Sequence, residues 1–192
     1  ISLSIMYRTQ HCNEIRKEHI GEVVTLSGWV NSTRDHGGVI FIDLRDREGL
    51  TQAVFRPEES EEAAKLSHTL RFEDVLKIQG RVADRLEGTA NDKLETGDVE
   101  VVVQTVEVIS RAEVLPFQLD KELSNEDLRL KHRYLDLRRP RLARNLQMRH
   151  RVSKATRDFL DEKGFLEIET PILSKSTPEG ARDFLVPSRL NP

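Results

Sequence analysis

The sequence predicts a small closed β-barrel, then a hinge, then the opening of an α+β domain, and three observations carry that prediction. Apolar and polar residues alternate in five runs between Gly21 and Arg111, the period expected of half-buried strands. A single helical run separates the third of these from the fourth. Beyond Arg111 the period lengthens to that of a helix, and little further strand pattern follows.

The five predicted strands are Glu22–Thr33, Val39–Asp46, Leu50–Arg56, Asp74–Arg85 and Asp98–Ser110. Gly37-Gly38 and Glu48-Gly49 supply tight turns between the first three. The run from Pro57 to Leu66 opens with proline and acids and continues in strong helix formers, which favours a helix whose N-terminus carries the negative charge. Five strands with a helix between the third and fourth is the layout of the OB-fold, a five-stranded Greek-key barrel; a five-stranded half-sandwich has the same pattern.

Leu115-Pro116-Phe117 and the polar stretch to Asn125 read as a linker. Next comes a long helix, with Pro140 in its first turn, Gly164 at its stop, and Leu142, Leu146, Val152, Ala155, Phe159 and Leu160 close to one face. A short strand at Phe165–Ile168 runs into Thr170-Pro171, where proline ends ladder pairing, and a further strand is expected at Asp183–Val186. The predicted organisation is a barrel over 1–111, a hinge over 112–139 and the incomplete start of a second domain over 140–192. One long helix with so little sheet does not close a core, so the chain reads as a piece of a longer protein.

Charge and cysteine narrow the function. The chain has 192 residues with a net charge of −3, yet Arg129 to Arg157 holds eleven Lys/Arg against the single acid Asp136. A local basic block on an otherwise acidic chain suits a polyanion met by one region, or a solvated helix face. The one cysteine, Cys12, rules out a disulfide framework and a Cys-rich metal site and fits a reducing cytosol. No apolar stretch approaches the roughly 18 residues that span a bilayer, and Ile1 to Tyr7 lacks a signal-peptide pattern. A cytoplasmic protein with no membrane contact and no metal site is expected.

On the second strand Ile40, Ile42 and Leu44 alternate with Phe41, Asp43 and Arg45, so an inward aliphatic set leaves Phe41 outside among charges. An outward aromatic on such a barrel is a stacking platform for an unpaired base, unless a loop or the connecting helix covers it. Ala53 and Phe55 facing in would place Gln52 and Val54 outward beside it, where Gln52 offers both donor and acceptor to a base edge. Arg34, before the second strand, adds a forked donor. Strands two and three with the first loop are the usual nucleic-acid surface of this fold, which favours single-stranded RNA. Ser174 to Ala181 is a Gly/Pro-punctuated loop in which Glu179 could hold a substrate ammonium, or stand as an ordinary exposed glutamate.

Four stretches together carry a resemblance: Gly28-Trp29-Val30-Asn31 with Arg34-Asp35 and Phe41 to Gly49; Arg133 to Pro140; Gly164-Phe165 to Pro171; and Thr177 to Asp183. In this order and spacing the chain resembles the N-terminal third of the bacterial-type aspartyl-tRNA synthetases, class II enzymes. The resemblance implies an anticodon-binding OB-fold, with Phe41 stacked on the central anticodon base, Gln52 reading it, Arg34 on the third base and Asp98 near the first, where many members have Glu. It implies that Gly164, Phe165 and Pro171 belong to a homodimer interface, and that Glu179 meets the aspartate ammonium within a mobile loop including Ser176, Thr177, Pro178 and Gly180. His36 before Gly37-Gly38, with Gly88 in the later loop, is similar to relaxed members that charge both tRNA(Asp) and tRNA(Asn).

The complete enzyme of this family is an aspartate–tRNA ligase that uses ATP and Mg2+. The second class II motif, with its Phe-Arg-x-Glu, and the third, Gly-rich and ending in Arg, are missing by this reading. These 192 residues are therefore expected to hold no catalytic residue, to bind no ATP or Mg2+, to form no adenylate and to bind tRNA weakly. The rival readings are a stand-alone OB-fold RNA-binding module with a dimerisation arm, and an asparaginyl-type or amidotransferase-like paralogue.

Overall fold

The computed structural model describes residues 7–86, 88–121, 125–173, 184 and 186–190. Five strands form the barrel: β1 (Val23–His36), β2 (Val39–Arg45), β3 (Leu50–Phe55), β4 (Val75–Asp84) and β5 (Val99–Ser110), with helix α1 (Glu61–Ser67) between β3 and β4. The spatial order β1-β2-β3-β5-β4 closes on itself, so the OB-type barrel holds and the half-sandwich does not. Closure depends on β1, whose first half pairs with β4 (Val23↔Arg81 to Trp29↔Val75) and whose second half pairs with β2 (Trp29↔Arg45 to His36↔Val39). The parallel contact of β3 with β5, Ala53↔Val101 and Val54↔Val102, completes the circle.

The alternation in the sequence produces the core. Val24, Leu26, Val30, Ile40, Ile42, Leu44, Ala53, Phe55, Leu76, Ile78, Val82, Val99, Val101 and Val103 all point inward and are buried. Each such aliphatic side chain contributes roughly 1.5–3 kcal/mol of transfer free energy. Helix α1 covers this core with Ala63, and its N-cap is Ser60, whose hydroxyl accepts from the Ala63 amide. The cap explains why the helix starts at Glu61 rather than at Pro57: the four residues before it form a turn that delivers Ser60.

Two short 3₁₀ turns, Cys12–Glu14 and Lys17–His19, precede β1. Sequence periodicity does not reveal them, because three residues are too few to show a period. The first is pinned to the barrel. The Asp46 carboxylate accepts from the Cys12 and Glu48 amides at 3.0 and 2.8 Å and pairs with His11 at 2.9 Å. Burial alone would raise the Asp46 carboxyl, but those hydrogen bonds outweigh it and hold the group below its ordinary value. Cys12 itself lies in the core.

After β5 the chain does not run free. Phe117, Leu119 and Leu135 form a second small cluster with Phe72, Leu115 and Leu128, so most of the expected hinge packs with the barrel. The compact units divide between Leu135 and Asp136. This region carries helices α2 (Glu126–Lys131) and α3 (Arg133–Asp136).

The second unit is dominated by α4 (Pro140–Glu162), with Pro140 in its first turn as the sequence predicts. It ends at Gly164 in a Schellman arrangement, the Phe165 amide donating to the Leu160 carbonyl and the Gly164 amide to that of Asp161. Leu146, Val152, Phe159 and Leu160 are all exposed along it. The strand expected at Phe165–Ile168 does not form. A strand needs a neighbour to take its hydrogen bonds, and none of the described residues provides one. The strand expected at Asp183–Val186 and the loop residues Ser176, Thr177, Pro178, Glu179 and Gly180 lie outside the described residues, in whole or in part. Among the described residues no helix is long and apolar enough to cross a membrane.

Candidate nucleic-acid interface

The outward face of β1, β2 and β3 brings most of the expected residues together. Strand register places Arg34 opposite Phe41, Phe41 opposite Val54, and Asp43 opposite Gln52. Phe41 is half-buried, and the exposed His36 ring meets it edge-on, with centroids 5.6 Å apart and planes at 76°. His36 owes this position to a two-residue hairpin turn in which Gly37 and Gly38 both have positive φ, +65° and +92°. That turn type matches strand twist and excludes most side chains at both central positions.

Gln52 behaves differently from the sequence-based picture. It lies on the outward side of β3, yet only 6% of it is exposed. Flanking strands cover it. Its Nε2 donates to Glu100 of β5 at 2.9 Å, while its Oε1 accepts from Arg34 at 3.3 Å. Arg34 also pairs with Asp43 at 2.9 Å, and Glu100, 3% exposed, pairs with Arg56 at 3.0 Å. One donor and one acceptor site of the Gln52 amide are therefore engaged, which leaves one N–H and one oxygen lone pair for a base edge.

Arg85, one residue beyond β4, completes the cluster. Its backbone amide donates to the Asp98 carbonyl at 3.0 Å and its Nε to the Val99 carbonyl at 3.1 Å. Its second terminal nitrogen, Nη2, is buried and has no hydrogen-bond partner among the described residues. Burial lowers the pKa of this guanidinium, and the charges of Asp43 and Glu100 act against that loss. A buried donor left without an acceptor costs about 1–3 kcal/mol. An incoming carbonyl or phosphate oxygen would recover it.

Arg34, Arg56 and Arg85 stand with Asp43, Glu100 and Asp98 in a cluster of both signs, and the half-buried Phe41 ring lies opposite Arg34 on the same strands. Sequence reasoning missed Glu100 and Arg85. Glu100 alternates with the inward Val99 and Val101, so the argument that singled out Gln52 extends to it once β5 is known to lie beside β3. Arg85 carries no such signal.

Of the remaining expected residues, Asp98 adjoins this network, its carbonyl accepting from the Arg85 amide. Asp98 stands before β5 and pairs with Lys17 at 3.2 Å. Gly88 has φ +80° and nothing near the position a Cβ would take. Gly164 and Phe165 form the end of α4, with Phe165 64% exposed, and Pro171 follows in irregular chain. The letters Phe-Arg-x-Glu, expected to be missing, do occur at Phe55-Arg56-Pro57-Glu58. Phe55 fills the barrel core and Arg56 pairs with Glu100, so the string belongs to the barrel.

Comparison with known proteins agrees with this geometry. Residues 24–109 match a family described as an OB-fold nucleic acid binding domain, and residues 125–192 match the class II tRNA synthetases for D, K and N. The chain is 56% identical over 187 residues to an aspartate–tRNA(Asp/Asn) ligase of Magnetococcus marinus, covering 97% of this chain and 31% of that protein. It is 53% identical over 190 residues to the ligase of the same name from Desulfatibacillum aliphaticivorans, covering 98% and 32%. The chain thus spans about a third of the length of the curated relatives it matches. Among solved structures, asparaginyl-tRNA synthetase from Pyrococcus horikoshii superposes with a TM-score of 0.75 at 29% identity, over 88% of this chain and 39% of that one. A chain whose barrel matches an OB-fold nucleic acid binding domain, whose following segment matches a synthetase domain, and which is matched at this identity almost end to end, belongs to the class II aminoacyl-tRNA synthetases of the aspartyl, lysyl and asparaginyl group.

Proposed function

We propose that the barrel binds the anticodon loop of a tRNA and that the protein to which these residues belong is an aspartate–tRNA ligase. The observation that carries this reading is the half-buried Phe41 ring opposite Arg34, on strands whose outward residues Arg34, Asp43, Gln52 and Glu100 form one hydrogen-bonded network, where this fold binds nucleic acids. Phe41 stacks on the central base and Gln52 hydrogen-bonds to it. Arg34 serves the third base. The first base falls to the β4–β5 side, where the orphaned Arg85 donor and the Glu100 carboxylate lie, rather than to Asp98, whose carboxylate pairs with Lys17.

The whole enzyme activates aspartate with ATP and Mg2+ and transfers it to tRNA. Of that chemistry these residues contribute Glu179, which holds the substrate ammonium, and the loop of Ser176, Thr177, Pro178 and Gly180 around it. The exposed apolar residues of α4, with Gly164, Phe165 and Pro171, form the interface of a homodimer; a lone helix cannot bury such a stripe by itself. The enzyme is cytoplasmic. Relatives named for both tRNA(Asp) and tRNA(Asn) support a relaxed tRNA choice, with His36 on the Phe41 ring and Gly88 in the later loop as the residues that permit it.

Binding of a hairpin RNA carrying the anticodon loop, followed by fluorescence anisotropy, tests the reading. Removing one base–aromatic stack in Phe41→Ala costs about 1–3 kcal/mol, roughly a 5- to 150-fold rise in Kd. An unchanged Kd would remove Phe41 from the interface and leave the anticodon reading without its main support.

A further inference from the structure

The connection between β4 and β5 is not a simple loop. Its second half is a small closed ring. The Asn91 amide donates to the Gly97 carbonyl at 3.0 Å, the Leu94 amide to the Asn91 carbonyl at 3.0 Å, and the Gly97 amide to the Leu94 carbonyl at 2.9 Å. The ring is so tight that a Cβ on Gly97 would lie 1.9 Å from the Asn91 carbonyl oxygen, which only glycine avoids.

This ring is fastened to the start of the chain. The Glu95 carboxylate accepts from Asn13 Nδ2 at 3.0 Å and from Arg16 Nη2 at 2.8 Å. The Thr96 hydroxyl donates to the Leu50 carbonyl at the first residue of β3, at 2.7 Å. Lys17 pairs with Asp98, and Arg16 Nη1 donates to the Asn13 and Ile15 carbonyls, stiffening the segment that holds Glu95. That segment is a fixed point, because Cys12 lies in the core and its carbonyl accepts from Thr51.

The ring leads directly to the outward cluster. The Val99 amide donates to the Thr96 carbonyl, and Arg85 hangs on the next two residues through the Asp98 and Val99 carbonyls. Glu100 follows immediately. A shift of Glu95 or Thr96 therefore moves the Asp98 carbonyl that takes the Arg85 amide and the Val99 carbonyl that takes its Nε, while the backbone at Phe41, Gln52 and Arg34 is set by the β1–β2–β3 register.

We propose that Asn13 and Arg16, acting through Glu95, are positioning residues that fix Arg85 and so set selectivity at the first anticodon base without touching the RNA. The proposal rests on the anticodon reading above. No catalytic or stacking role falls to the clamp itself. Glu95 is 70% and Arg16 38% exposed, so the pair belongs to the class worth up to about 1 kcal/mol, and its loss is readable as an effect of up to about fivefold.

The test uses the whole 192-residue chain and four hairpin RNAs, the matched anticodon loop and three others with one anticodon base changed in each. Glu95→Ala is expected to reduce discrimination at the first base by about two- to fivefold and to leave discrimination at the central and third bases unchanged. Glu95→Gln, which keeps an acceptor for Asn13 Nδ2 and Arg16 Nη2, is expected to recover most of the loss. In Arg85→Ala the Glu95→Ala change is expected to add nothing, because residues acting through one group are not additive. Equal weakening for all four RNAs, or first-base discrimination unchanged in Glu95→Ala, overturns the clamp while the anticodon reading stands. A parent chain that fails to distinguish any of the four RNAs overturns the anticodon reading, and the clamp's role with it.

Discussion

Replacing Glu100 by alanine should destabilise the barrel by about 1–3 kcal/mol, a cost set by what the carboxylate leaves behind. Glu100 is almost fully buried and serves two donors, Gln52 Nε2 at 2.9 Å and Arg56 Nη2 at 3.0 Å. Arg56 is partly exposed and can turn toward water, so its share is that of a screened pair, below about 1 kcal/mol. Gln52 has no such escape. Its Nε2 is left in a nearly dry site without the carboxylate that accepted from it, which costs the desolvation penalty of that group. The second variant separates this cause from simple loss of packing: in Gln52→Leu, Glu100→Ala no buried donor is stranded beyond the Arg85 Nη2 of the parent, and most of the lost stability should return. Urea unfolding followed by far-ultraviolet circular dichroism reads both numbers, with the slope of the transition unchanged. A Glu100→Ala midpoint equivalent to less than about 0.5 kcal/mol, the range of an ordinary surface change, would refute the argument. So would a double variant no more stable than the single one.

Two other groups give separate checks. The Cys12 thiol is buried and its ionisation is pushed up, first by burial and then by the nearby Asp46 carboxylate, so a thiol reagent at neutral pH should label it only after unfolding in urea; stoichiometric labelling of the folded chain would contradict the packing. Asp46 is held below its ordinary value in the folded state, so its stabilising effect is complete above the unfolded value of about 3.9 and is lost as pH falls from there through the folded value. Asp46→Asn should therefore be less stable than the parent at pH 7, and the gap should narrow below about pH 4; a gap independent of pH would assign the effect to shape rather than charge.

How much of this was legible in the sequence depends on the range over which each signal acts. Ile40, Ile42 and Leu44 against Phe41 and Asp43 is a period of two within seven residues, and it fixes both the strand and its outward face before any neighbour is known. Pro140 and Gly164 mark the ends of α4 by local backbone chemistry alone. Failures begin where a residue's state depends on what lies across from it. Phe165–Ile168 has strand composition but no ladder partner among the described residues, and composition cannot supply one.

Gln52 shows the same limit within the site. Alternation correctly placed it on the outward side of β3, but outward on a barrel strand means facing whatever the next strands present, and β5 presents Glu100. The parallel contact of β3 with β5 joins residues about fifty positions apart, so no local pattern announces it. Arg85 is further still from being readable. Its side chain is held through Nε by the Val99 carbonyl, just beyond a closed ring that is fastened through Glu95 to Asn13 and Arg16 and through Thr96 to Leu50. A sequence motif can therefore locate residues with the chemistry to meet a base, since that chemistry belongs to one position. It does not locate the residues that hold such side chains in place, such as Glu100 against Gln52, because those are chosen by contacts between segments that lie far apart in the chain.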